Sequence, residues 1–236
     1  MKLLKLGLLA SATLLCGISS FAQTAEEIVA KSIEAVGGKD KIAAIKSLHM
    51  ETSAQIMGND APGNVTILNG VGYKAETEFN GAKMIQCYTD KGGWSTNPMS
   101  GNTPEAMPDQ QYKAGRSQIQ IGGELFDYAA KGSKIELLGK DGNLYKIKLT
   151  TKDSTETTYY IDPTTYYITK LTKTGEAMGQ QVEITISLSA YKKTDYGFTM
   201  PYSTQLDFGS MFSMTVATKK VEINSPVDPK IFDMPK

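Results

Sequence analysis

Chemically active side chains are scarce in this chain. Its 236 residues include one histidine (His49), one tryptophan (Trp94), one arginine (Arg116) and two cysteines, Cys16 and Cys87. A catalytic triad needs a base, and His49 alternates onto the polar side of its segment, where it is expected at the surface. One histidine and two thiols give no metal-ligand spacing, and no glycine-rich phosphate loop stands between a strand and a helix. The carboxylate pairs Glu26/Glu27 and Glu76/Glu78 fall in a helix's opening turn and on a wet strand face, positions that suit solvation. Enzymatic activity is therefore not expected. A single arginine, with 25 basic against 25 acidic groups, also lacks the clustered cationic excess of nucleic-acid binders.

Long apolar runs are missing after the first residues, and no later segment approaches the roughly 20 apolar residues a membrane helix needs. Residues 1–22 read as a signal peptide: Lys2 and Lys5, an apolar run from Leu6 to Ile18, then Ser20-Phe21-Ala22. Cleavage after Ala22 is expected, and with it export. Lipid anchoring at Cys16 is disfavoured, because Leu15 stands where that processing takes a small residue. Residues 23–236 are expected to form a single domain, since no charged or proline-rich linker divides them. Cys87 is then the only thiol, no internal disulfide is possible, and packing has to supply the stability.

What the chain does have is alternation. Thr24 and Glu27 form a capping-box pattern, followed by Val29, Ile33 and Val36 at helical spacing and a stop at Gly37-Gly38. Residues 39–46, with Ile42 and Ile45, can make a second short helix or a continuation of the first after the glycine break. From Leu48 the period becomes two, with Met50, Thr52, Ala54 and Ile56 on one side. The same pattern recurs at 71–79 and, after the hairpin pair Asn80-Gly81, at 83–89. Seven further strands are expected over 134–138, 144–150, 157–162, 166–173, 182–191, 202–208 and 212–224, with a bulge near Lys219. A sheet of about eleven strands should curl instead of lying flat.

The stretch Asp90–Asp109 separates the two strand regions and holds Trp94, which suits either the rim of a cavity or a core plug at one end of a barrel. After it, residues 108–130 should form two short helical pieces joined at Gly122-Gly123. They make a lid or ordinary core cover. The 12 Tyr, 7 Phe and 11 Met could line an apolar site or fill a core.

The order of GGWSTNPMSG, a helical lid, YYIDPTTYYITKL and a closing PVDPKIFDMP resembles the outer-membrane lipoprotein-sorting proteins of the LolA/LolB superfamily. The likeness covers essentially all of residues 23–236 and is greatest to Bacteroidetes-type members that begin like AEEIVAKSIEAVGG. It implies a mainly β fold with α cover: a curved antiparallel sheet, an incomplete barrel, wrapped around N-terminal and lid helices. It further implies a periplasmic carrier whose apolar hollow takes the acyl chains of lipoproteins or related lipids, with Trp94 and Pro98 at the mouth. Its partners would be lipidated proteins or lipids, an inner-membrane release complex and an outer-membrane acceptor. No cofactor, metal or nucleic acid is expected, and the chain should act as a monomer. One departure is electrostatic, since the carriers latch the lid with an arginine on an early strand, whereas Arg116 lies in the lid. By strand parity and lid position the candidate lining residues are Trp94, Tyr73, Phe79, Ile119, Leu125, Phe126, Ile184, Ile186, Leu206 and Phe208. The alternative is an envelope sensor or protein-interaction module of the same fold with a filled interior.

Overall fold

The structure, a computed structural model, describes residues 23–56, 58–96, 101–177 and 180–235. The expected leader at 1–22, with Cys16, and the expected mouth residue Pro98 lie outside the described residues. The first helix, α1 (Ala25–Ala35), starts at the capping box anticipated from sequence. The Thr24 hydroxyl accepts from the Glu27 N–H at 3.2 Å, and the Glu27 carboxylate accepts from the Thr24 N–H at 3.3 Å. Gly37 and Gly38, at φ +130° and +86°, turn the chain into the short helix α2 (Lys39–Ala43).

Strands β1 (Ser47–Ile56), β2 (Asn59–Leu68), β3 (Gly72–Phe79), β4 (Ala82–Thr89), β5 (Gly93–Ser95) and β6 (Glu105–Ala106) come next. After a crossover containing helix α3 (Asp109–Gly115), the chain continues through β7 (Lys134–Asp141), β8 (Leu144–Thr150), β9 (Glu156–Ile161), β10 (Ile168–Ala177), β11 (Gln180–Lys193), β12 (Thr199–Asp207) and β13 (Ser213–Ile223). All belong to one antiparallel sheet of 13 strands, ordered β6-β5-β4-β3-β2-β1-β13-β12-β11-β10-β9-β8-β7. Two meanders thus join where the first strand meets the last, and the edges β6 and β7 stay apart: the barrel is curved and incomplete.

The strand count exceeds the eleven or so expected. β2 escapes an alternation test because Pro62-Gly63 interrupts it. Gly63 is there for close approach, as a Cβ would come within 2.5 Å of the Glu76 carbonyl oxygen on β3. The bulge is where parity put it: Glu51 pairs with Lys220 and Thr52 with Thr218, leaving Lys219 over. Asn80 and Gly81, both at positive φ, close the β3–β4 hairpin.

Helices and crossover cover one face of the sheet, its inner face. Ile28 and Val29 of α1 pack on Ile147, Leu149, Tyr159 and Ile161, while Ile42 of α2 and Ile45 pack on Leu48, Ile67 and Met200. Burying such side chains is worth about 1.5–3 kcal/mol each. The crossover runs from edge β6 to edge β7 through α3 and a 3-10 turn, Arg116–Ile119. The second helical piece anticipated near 121–130 is a series of turns instead. Gly122, Gly123, Asp127 and Gly132 all have positive φ (+93°, +71°, +52° and +75°), which a right-handed helix cannot accommodate.

Candidate ligand-binding site

Trp94 lies away from the lid. It is paired with Cys87 across β4–β5, so the two side chains share a face, whereas Tyr88, the next residue on β4, points to the opposite one. Tyr88 packs with Met107 and Ile119 of the crossover on the inner face. Trp94 and Cys87 pack on the outer face with Phe232 of the C-terminal segment. The Phe232 carbonyl accepts from the Trp94 indole N–H at 2.8 Å and from the Cys87 thiol at 3.3 Å. Its ring lies so close to Gly72 that a Cβ there would come within 2.5 Å of it. The cavity-mouth placement of Trp94 is thereby corrected: it is a core residue beneath a C-terminal strap. The signal that could have shown this is the apolar pair Cys87 and Trp94 on the face opposite Tyr73 and Tyr88.

His49 is half-buried, with Nδ1 at 2.9 Å from the Thr66 hydroxyl, instead of lying free at the surface.

The crossover residues named from sequence serve as cover. Leu125 belongs to the cluster under α1, Phe126 packs against the cluster under α2, and Ile119 joins Tyr88 and Met107. Tyr73 sits on the inner face beside Tyr88, ring centroids 6.0 Å apart, and burial raises its hydroxyl pKa well above the usual tyrosine value. Phe79 ends β3 at the hairpin and is half-buried.

Of the remaining four candidates, Ile186 and Leu206 are cross-strand partners, with Ile184 two residues before Ile186. Across β10–β11–β12–β13 the register sets Leu171, Ile186, Leu206 and Met214 side by side, and a neighbouring row carries Leu188, Thr204 and Val216. Leu171 packs into the α1 cluster, which identifies this as the inner face. Ile184 is buried two residues before Ile186. Phe208, just past the end of β12, stacks on Phe212 with centroids 4.4 Å apart. Ile186, Leu188, Leu206, Met214 and Val216 are half-buried and belong to none of the packed clusters among the described residues. They form an aliphatic wall beyond the reach of the helices. Leu188, Met214 and Val216 were missed from sequence, although the parity that selected Ile186 extends to them.

Next to the wall, under α3, is a half-open cavity of about 380 Å³ with mixed polar walls, among them Lys113, Arg116, Glu124, Lys131, Asp153 and Lys173. The Lys173 ammonium donates to the Ala114 carbonyl at 3.1 Å, joining β10 to the C-terminal end of α3. Lys131 donates to the Gly123 carbonyl at 2.9 Å. Burial lowers the pKa of both lysines, opposed at Lys131 by Asp127 and then Glu124 and at Lys173 by Glu124. Glu124 in turn accepts from Thr157 and Tyr159 hydroxyls at 3.3 and 3.4 Å.

Arg116 reaches out of the crossover to Asp153, in the turn between β8 and β9, at 2.7 Å. Both side chains are substantially exposed, so Arg116→Ala should cost no more than about 1 kcal/mol in urea unfolding. The Asp153 pKa is held below its ordinary 3.8, first by the Thr151 hydroxyl and, opposed by desolvation, also by Arg116. A carboxylate lowered in the folded state stabilises above its unfolded pKa and loses that contribution as pH falls through the folded value. The difference between wild type and Asp153→Asn should accordingly persist at neutral pH and vanish in acid.

No family model matches the chain, and neither does any curated protein sequence. Solved structures do. A LolA superfamily protein from Nitrosomonas europaea aligns over 90% of this chain and 98% of its own, with a TM-score of 0.59 and 13% identity. The fold is LolA-like. A domain described as an outer membrane lipoprotein-sorting protein, from Vibrio parahaemolyticus, aligns over 88% of this chain and 95% of its own at TM-score 0.57 and 12% identity. A DUF1329 family protein from Desulfovibrio piger gives 90%, 98%, 0.59 and 11%. At these identities the likeness is one of fold alone, and the wall and the cationic cavity are read from this chain's own residues.

Proposed function

We propose that the protein is a periplasmic carrier that shelters the acyl chains of lipoproteins, or of related lipids, against the inner face of its sheet during sorting towards the outer membrane. No covalent bond is made or broken. The observation that carries this reading is the half-buried aliphatic wall of Ile186, Leu188, Leu206, Met214 and Val216, apolar yet outside the packed core. Each methylene removed from water is worth about 0.8 kcal/mol, so a chain of roughly 14 carbons gains on the order of 10 kcal/mol. Release needs a part that yields before the whole. α3 is held to the sheet by two side-chain hydrogen bonds, from Lys173 to the Ala114 carbonyl and from the Tyr112 hydroxyl to the Thr89 carbonyl, and the 3-10 turn after it by buried Ile119, whose carbonyl accepts from the Gly70 N–H, and by the exposed Arg116–Asp153 pair. The crossover still consists of short helical pieces and turns without strand pairing, and a covering segment of that kind opens at lower cost than the whole sheet unfolds. The signal-like residues 1–22 support export.

A second reading, a protein-interaction module with a filled interior, is favoured by one observation: Ile119, Leu125 and Phe126 of the crossover are spent on core packing. Native mass spectrometry of the protein purified from its own periplasm separates the two. The carrier should arrive with acylated species attached, and protein that is empty in repeated preparations would favour the interaction module.

A further inference from the structure

The cavity under α3 has a charge character that a hydrocarbon does not require. On a chain with equal numbers of acidic and basic groups, its walls carry Lys113, Lys131, Lys152 and Lys173 besides the mutually neutralising Arg116–Asp153 pair, against only Asp90 and Glu124. None of the four lysines has an ion-pair partner among the described residues. Lys131 and Lys173 each use one donor on a backbone carbonyl, and an ammonium has three. Ser117, Ser133 and Thr155 line the same walls.

The cavity also adjoins the aliphatic wall. Lys173 on β10 is the cross-strand partner of Ile184 on β11, and Ile184 precedes Ile186 on the same face. A second cavity of about 390 Å³ on the other side of Lys113 and Ala114 is lined by Gly175, and a Cβ at Gly175 would come within 2.3 Å of the Ile184 side chain. Ammonium groups with no ion-pair contact among the described residues, eased only by the nearby carboxylates of Glu124 and Asp127, thus meet an apolar surface along one line.

We propose that the cavity beneath α3 binds a phosphate-type oxyanion, the head of an amphiphile whose hydrocarbon tail lies along Ile184, Ile186 and Leu206. This rests on the carrier reading and narrows its cargo to anionic amphiphiles. Burial already works against the charge on Lys131 and Lys173, so an anion arriving there relieves an existing penalty. Charge-assisted hydrogen bonds from lysine to an oxyanion are stronger than neutral ones. An anion there would also accept from Lys173, whose present acceptor is the Ala114 carbonyl, coupling head binding to the seating of α3.

The test uses the full exported chain with three probes: a phosphatidic acid, the diacylglycerol with the same tails, and inorganic phosphate. Loading is read by native mass spectrometry from detergent micelles. Wild type should prefer phosphatidic acid to diacylglycerol by about tenfold or more, as one or two charge-assisted bonds provide. The double variant Lys131→Met/Lys173→Met should lose that preference while still taking diacylglycerol. Its thermal midpoint should fall by a few degrees at most for each hydrogen bond given up, since the methionines keep the apolar stems of the lysines and lose only one bond each to a backbone carbonyl. Equal loading of both lipids by wild type would overturn the oxyanion site and leave the carrier reading standing. Phosphate binding that needs Lys131 and Lys173, with neither lipid loading, would uphold the site, assign it to free phosphate and overturn the carrier. No phosphate preference of either kind would sink the site whatever the double variant does.

Discussion

Replacing Phe232 with alanine is expected to cost about 3–5 kcal/mol of unfolding free energy, the usual loss for a fully buried phenylalanine. Phe232 is 2% exposed, its ring rests on Gly72, and its carbonyl is the shared acceptor for Trp94 and Cys87. Taking away the ring removes what anchors the 3-10 turn Pro229–Phe232 to the outer face. The thiol supplies a second readout. Burial, the largest cause, pushes the Cys87 pKa up to about 12, so wild-type protein should resist alkylation at pH 8. In Phe232→Ala the thiol should react orders of magnitude faster. Gly72→Ala should reproduce both effects by expelling the ring. Slow alkylation in both variants, with stability within about 1 kcal/mol of wild type, would remove the strap from the account.

The second large effect concerns function. Ile186→Glu and Leu206→Glu should each abolish acyl loading, because a carboxylate in the middle of the wall either stays hydrated and blocks the tail or is desolvated at a cost of several kcal/mol. Both positions are half-buried and outside the packed clusters, so the thermal midpoint should fall by only a few degrees, corresponding to roughly 1 kcal/mol. Ser187→Glu is the matched control. It alternates to the outer face between Lys170 and Gln205, and loading should be unchanged. Loss of loading in all three, or in none, would show that the wall is not where the tail lies.

Much of this was legible before any coordinates, for identifiable reasons. Strands β7 to β13 follow from alternation because one side of each faces helices and the other water, and the unpaired Lys219 follows from the shift of parity between Val216 and Val221. Two wall positions, Ile186 and Leu206, follow on the same grounds, with Ile184 and Phe208 at the same parity beside them. β2 stayed hidden because its turn-like Pro62-Gly63 answers to a close approach by β3, a tertiary demand that local pattern does not report. β5 and β6 have three and two residues, too few to show a period. Trp94 was misplaced because its surroundings depend on a contact between residues separated by 138 positions. The cationic cavity was invisible for a similar reason. Lys113, Lys131, Lys152 and Lys173 are spread along the chain with no local cluster, and only the crossover's path over β8–β10 gathers them.

The central claim is that a hydrocarbon tail lies against the inner face of β11, β12 and β13. Photo-crosslinking with a diazirine-bearing fatty acid, followed by peptide mapping of the full exported chain, tests it most directly. Label concentrated at Ile184–Leu188, Leu206 and Met214, and lost in Leu206→Glu, is the predicted result. Label confined to the outer face around Val71, Ile231 and Met234, which are exposed apolar residues near the C-terminal strap, would contradict it.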